Sequence, residues 1–177
     1  YNILCAFSAA DLLVPNKKNE IIAAIADFAG VPGRTELISK DPAVIVDFAH
    51  TPDGIEKVLS SLAARPLIVV MGAGGDRDAS KRPIMGQIAA AFAKTLIITS
   101  DNPRSEDPQK IIEQIKAGAN KATKGAKIIT ESDRKKAIAL ALSLVKDEII
   151  AILGKGDEDY QEINGVKHPF SDAAVVR

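Results

Sequence analysis

From residue 43 onward, short apolar runs alternate with amphipathic segments, and that alternation limits the folds open to this chain. The runs are AVIVDFA (43–49), LIVVMG (67–72), TLIITS (95–100), AKIIT (126–130) and EIIAILG (148–154). Between them, Ile55, Val58, Leu59 and Leu62 keep helical spacing, as do Ile84, Ile88 and Phe92. Ile111, Ile112 and Ile115 repeat the pattern, followed by Ile138, Ala141, Leu142 and Val145. Apolar runs without strict polar alternation suit strands covered on both faces, and helical crossovers between them suit parallel order. Residues 41–177 therefore read as an α/β domain with an open, doubly wound, mostly parallel sheet of Rossmann-like type. EINGVKHPF (162–170) adds a closing hairpin with Asn164-Gly165 as its turn.

Residues 1–40 have a different texture. Ile3, Leu4, Phe7 and Ala10 share one helical face, and Ile21, Ile22, Ile25 and Phe28 share another. VPNKK separates the two, and AGVPGR (29–34) stops the second. The expectation is the helical tail of a preceding domain, in a chain that opens mid-helix at Tyr1 as part of a longer protein. With 177 residues, 46% of them apolar, the chain can bury a substantial core. Its 23 basic and 23 acidic residues cancel, which argues against nucleic acid or an anionic membrane as partner. No apolar run nears the ~20 residues that span a bilayer, and no signal segment is evident. The lone cysteine, Cys5, excludes an intramolecular disulfide and fits a reducing, cytoplasmic compartment; its apolar helical setting predicts a buried thiol.

Ligands of doubly wound sheets bind beyond the carboxyl ends of the strands. The residues found there are Asp47, His50, Thr51, Pro52 and Asp53 after the first run, GAGGDRD (72–78) after the second, SDNPR (100–104) after the third and GKGDEDY (154–160) after the fifth. Glycines at such ends let backbone N–H groups approach a ligand. GAGGDR is a weak dinucleotide fingerprint, because Arg77 stands where G-x-G-x-x-G needs its third glycine. GKG lacks the spacing and the hydroxyl of a P-loop, and His50, His168 and one distant cysteine do not make a zinc site. Taken singly, His50 reads as a surface cap, and Asp101 with Arg104 as a self-satisfied turn stiffened by Pro103. Taken together, Arg77, Asp101, Arg104 and Glu158 offer two guanidinium groups and two carboxylates if they converge. An arginine fork grips a carboxylate and a carboxylate takes an ammonium, so the set complements a zwitterion. That suggests an amino acid as ligand.

VIVDFAHTPDGIEKVL, MGAGGDRDASKRPIMG, TSDNPRSEDP and GKGDEDYQ, in this order, resemble the C-terminal domain of the Mur ligases. The leading segment, through VPGRTELI, resembles the end of that family's central ATPase domain. The resemblance implies an ATP-dependent ligase of peptidoglycan synthesis whose P-loop and Mg2+ ligands lie upstream, in central and N-terminal domains outside this sequence. Its substrates would be ATP, an amino acid and a UDP-N-acetylmuramoyl dipeptide, and this part alone would be inactive. The D-N-P-R signature of diaminopimelate selection falls on Asp101, Asn102, Pro103 and Arg104, with further contacts on Arg77, Gly154 and Glu158. On the nucleotide side the resemblance implicates Arg34 near the phosphates and Asp47 and His50 near ribose and base.

Two positions depart from the family pattern. Asp157 stands where histidine is usual, and Ser80 stands where glycine is usual. The expectation is that Asp157 points away from the amino-acid site, into solvent or towards Lys155, and leaves Glu158 to face the ligand. The alternatives are a lysine-adding ligase of the same family, a Rossmann-type nucleotide-binding or dehydrogenase domain, and a binding module without chemistry. Arg104 argues against the first, because a lysine would leave its guanidinium unpaired.

Overall fold

A computed structural model describes every residue except Tyr1 and Lys124. By its internal contacts the chain forms two compact units, residues 1–31 and 32–177. In the first, α1 (Asn2–Leu13) and α2 (Lys18–Ala26) pair with each other. Neither buries a residue of its own, so Cys5 is exposed rather than buried as its apolar pattern predicted. Phe28 lies beyond the end of α2, and the helix expected from the first residue begins at Tyr1, which is outside the described residues.

The second unit is built on a six-stranded sheet in the order β1-β2-β6-β3-β4-β5. The strands are β1 (Glu36–Lys40), β2 (Ala43–Asp47), β3 (Leu67–Met71), β4 (Thr95–Ile98), β5 (Lys127–Thr130) and β6 (Ile149–Leu153). All pairs are parallel except β1 with β2. β1 corrects the sequence reading, which placed residues up to 40 in the helical tail. It is a half-exposed edge strand without an apolar run, so composition concealed it. Successive side chains of a strand point to opposite faces, and here both faces are covered. Leu67, Val69 and Met71 pack with α3 (Pro52–Leu62), α4 (Lys81–Phe92) and α5 (Pro108–Ala119), while Ile68 and Val70 pack with α6 (Arg134–Leu144).

The buried face of α4 also differs from the expected Ile84, Ile88 and Phe92. Met85, Gly86, Ala89 and Ala90 are buried, and Ile84 is exposed. The cause is close approach to α5. A Cβ on Gly86 would overlap the carbonyl of Ile115, and one on Gly118 that of Pro83. Small residues therefore form the contact and the larger ones are displaced to its rim.

β7 (Tyr160–Ile163) and β8 (Val166–Pro169) form the expected antiparallel hairpin. Asn164 and Gly165 at its tip both have positive φ, 50° and 75°, as a tight turn of type I′ requires. A short helix, α7 (Asp172–Val176), closes the chain against the α6 face. Its Asp172 carboxylate is buried and takes two hydrogen bonds from the wholly buried Arg134 of α6. No helix among the described residues is long and apolar enough to cross a membrane.

Candidate functional site

A cavity of about 450 Å³ opens at the carboxyl ends of β2, β3, β4 and β6. Seven sequence-predicted residues line it: His50, Arg77, Asp101, Asn102, Arg104, Gly154 and Glu158. Pro103, Arg34 and Asp47 are not part of its wall. Loops pinned by the sheet bring the seven together. Gly75 donates its N–H to Asn102 O at 2.9 Å, and a Cβ on Gly75 would overlap Pro103 O, so the loop after β3 lies flat on the turn after β4. Gly154 has φ of 114°, and a Cβ there would sit 2.5 Å from Asp101 Oδ2. Only glycine admits that carboxylate at the end of β6.

The charged groups differ in how committed they are. Asp101 Oδ1 accepts from Asn102 N at 2.7 Å, and Arg134 Nη1 stands 3.9 Å behind Oδ2. Glu158 Oε2 accepts from Asn102 Nδ2 and from Lys155 Nζ, each at 2.8 Å. Its Oε1 has no partner among the described residues. Lys155 is wholly buried and also donates to Asn102 Oδ1 at 3.1 Å. Arg104 Nη1 donates to Gly75 O at 2.7 Å, while Arg77 is exposed and engages no carboxylate among the described residues. Asp157 is exposed and does not line the cavity.

Residues the motifs did not single out also form the wall, chiefly Asp78, Lys81, Arg82 and Met85. Arg82 is buried and grips Glu106 through both oxygens, at 2.8 and 2.7 Å, while reaching Gly74 O at 3.0 Å. Glu106 in turn accepts from Asp76 N at 2.6 Å. The Arg82 hydrogen bond, aided by the Asp76 amide, holds the Glu106 carboxyl down at about 2. This network fixes the loop that carries Arg77. An arginine on an apolar helix face was the available signal.

Beside the cavity, Asp47 Oδ2 accepts from Thr35 N at 2.7 Å and Thr35 Oγ1 at 3.1 Å, and Oδ1 accepts from Ala49 N at 2.7 Å. That carboxylate ties residues 34–35 to the end of β2. The exposed Arg34 guanidinium lies 4.4 Å over the Phe48 ring, and His50 packs edge-on against the same ring at 4.7 Å. Among the described residues no cluster of three or more His, Cys, Asp or Glu is placed to hold a metal ion.

The family described as Mur ligase, glutamate ligase domain, matches residues 33–156. The chain belongs to the Mur ligase family. Over its whole length it is 50% identical to a UDP-N-acetylmuramoyl-L-alanyl-D-glutamate–2,6-diaminopimelate ligase of Helicobacter hepaticus and 47% identical to one of Aquifex aeolicus. It spans only 38% and 37% of those relatives. A solved structure of a ligase of the same name superposes with a TM-score of 0.76 at 39% identity, covering 99% of this chain and 36% of the other. The dehydrogenase alternative raised by GAGG falls away with this match. In this Mur ligase domain the glycines of that loop serve close packing on the turn after β4, Gly72 against Thr99 O and Gly75 against Pro103 O.

Proposed function

We propose that this chain is the amino-acid-delivering part of an ATP-dependent ligase. The whole protein would join meso-2,6-diaminopimelate to UDP-N-acetylmuramoyl-L-alanyl-D-glutamate in cytoplasmic peptidoglycan synthesis. The observation that carries the reading is the convergence of Arg77, Asp101, Arg104 and Glu158 on one cavity. Diaminopimelate has a carboxylate and an ammonium at each end, and lysine lacks the far carboxylate. Arg104 rewards that carboxylate. A lysine in its place would leave a desolvated guanidinium unpaired, at about 1–3 kcal/mol. Glu158 Oε1 and Asp101 are the acceptors for ammonium, and Arg77 is the second carboxylate fork. Asn102, Pro103 and Gly154 shape the wall between them.

In the proposed reaction the D-glutamate carboxylate of the dipeptide attacks the γ-phosphorus of ATP, and ADP leaves. The free amine of diaminopimelate then attacks the acyl carbon, inorganic phosphate leaves with the bonding pair, and the amine loses a proton. This chain's residues hold the amine in line and keep water from the acyl phosphate. None is assigned a bond-making role. On the nucleotide side, the exposed Arg34 and the Phe48–His50 ledge fit phosphate and base, and Asp47 holds Arg34's segment through Thr35. The family resemblance assigns the Mg2+ ligands to the preceding domain, which residues 1–31 are proposed to complete.

The test is ADP release by the full-length protein with ATP, the UDP-linked dipeptide and either diaminopimelate or lysine. Diaminopimelate should be used and lysine scarcely. Arg104→Ala should abolish diaminopimelate addition with ATP affinity nearly unchanged, and Arg77→Ala should behave similarly. Wild-type kinetics in Arg104→Ala would overturn the assignment of the turn, and an Arg77→Ala loss confined to ATP affinity would move Arg77 to the nucleotide side.

A further inference from the structure

We propose that the first strand of the C-terminal hairpin, through Gln161 and Glu162, positions the turn that selects the amino acid. The inference rests on the ligase reading above and concerns residues outside the cavity wall. Arg104 has φ of 51°, a left-handed conformation that an arginine keeps only where its surroundings enforce it. Here both of its main-chain groups are spoken for by the hairpin. Arg104 N donates to Glu162 O at 3.1 Å, and Asn164 N donates to Arg104 O at 2.7 Å.

Side-chain and main-chain groups of the strand continue the same contact. Gln161 Nε2 donates to Asp101 O at 2.6 Å, and Glu162 N donates to Asn102 Oδ1 at 2.9 Å. The Glu162 carboxylate lies 3.4 Å from Arg104 Nε. With Nη1 on Gly75 O, the guanidinium is held at two points, and Nη2 has no partner among the described residues. A fork fixed before the ligand arrives loses little side-chain freedom on binding, whereas an unbraced arginine must be ordered by the ligand. Glu162 also balances the Arg104 charge while the site is empty. The strand therefore acts on affinity for the amino acid, and the phosphoryl step is indifferent to it.

The experiment uses the full-length ligase carrying Gln161→Ala and Glu162→Ala together, with each single change and Glu162→Gln as companions. Steady-state ADP release is measured against diaminopimelate and against ATP. The double variant is expected to raise KM for diaminopimelate at least fivefold, with kcat and KM for ATP within twofold of wild type. Glu162→Gln, which keeps an acceptor beside Arg104 Nε, should recover most of the loss seen in Glu162→Ala. A double variant whose KM for diaminopimelate stays within twofold overturns the inference and leaves the ligase reading standing. Equal losses in kcat and both KM values also overturn it, since they mark a general structural defect. A wild-type protein that uses lysine and not diaminopimelate overturns the ligase reading, and this inference with it.

Discussion

Arg134 and Asp172 form a pair buried from solvent on both sides, with Nε to Oδ1 at 2.8 Å and Nη2 to Oδ2 at 2.7 Å. Burial works against the arginine's charge, and the Asp172 carboxylate, with Asp101 and Glu158 also acting on it, more than offsets that cost. Arg134 also reaches Leu153 O at 3.1 Å and Ser100 O at 3.4 Å, so one guanidinium joins α6 and α7 to the ends of β6 and β4. These are the ends that carry Gly154 and Asp101. Removing one partner strands the other charge. Asp172→Ala should lower unfolding free energy by about 3–5 kcal/mol, read from the urea midpoint. Pairing Arg134→Met with Asp172→Leu should recover part of that, because it removes both members of the buried pair, while the 3.9 Å Asp101 contact is lost with the arginine. A single variant as stable as wild type would show that water reaches the pair.

The buried Lys155 bears on the site more directly. Its ammonium touches Glu158 Oε2 and Asn102 Oδ1 and lies 5.5 Å from the centre of the Tyr160 ring. Lys155→Met keeps the stem and deletes the charge, so Glu158 loses its cationic partner and keeps only the Asn102 Nδ2 bond to fix its rotamer. The expected result is a tenfold or larger rise in KM for diaminopimelate, equal to ~1.4 kcal/mol, with ATP affinity retained. Isothermal titration of ATP and of diaminopimelate separately checks this, and equal losses for both would refute it.

Acid should destabilise the domain through two carboxylates. The Lys94 hydrogen bond, with the Lys146 amide, holds Glu148 down to about 2, and the Arg82 bond does the same for Glu106. The ordinary value is 4.5, so both are depressed in the folded state. Their stabilisation is complete above that value and is lost as pH falls through the window from 4.5 to about 2. The thermal midpoint should therefore drop across this window, and Glu148→Gln should flatten the drop while lowering the midpoint at neutral pH. An unchanged slope would mean that the Lys94–Glu148 pair is open in solution.

The sheet was legible because its central strands are apolar on both faces, which few other architectures require. What escaped the sequence is long-range. β1 is an edge strand whose ELISK carries no apolar run, and α4 buries alanines and glycines because α5 comes close. Arg77, Asp101, Arg104 and Glu158 of the cavity were legible because strand ends in such sheets are ligand sites. The groups behind them were not. Arg82, Arg134 and Gln161 take partners 24, 38 and 60 residues away, and no local spacing reports those distances. Lys155 stood in view between two glycines, yet only burial shows that it faces inward.

Asp157 stands where the sequence resemblance leads to an expected histidine, and the structure gives the aspartate a physical reading. The side chain is exposed, Lys155 is taken by Glu158, and Asp157 lies outside the cavity wall. Its main chain is the part that matters locally: a Cβ on Gly33 would overlap Asp157 N, so the loop after β6 lies against residues 33–34. A carboxylate in water is screened from Glu158 by solvent and ions, and its repulsion fades within about 10 Å at ordinary salt. Asp157→His should therefore change KM for diaminopimelate by less than about twofold across the working pH range. Because the residue borders the segment that carries Arg34, any effect should fall on ATP. A tenfold fall in KM for diaminopimelate, worth ~1.4 kcal/mol, would place the charge inside the amino-acid site and overturn the outward placement.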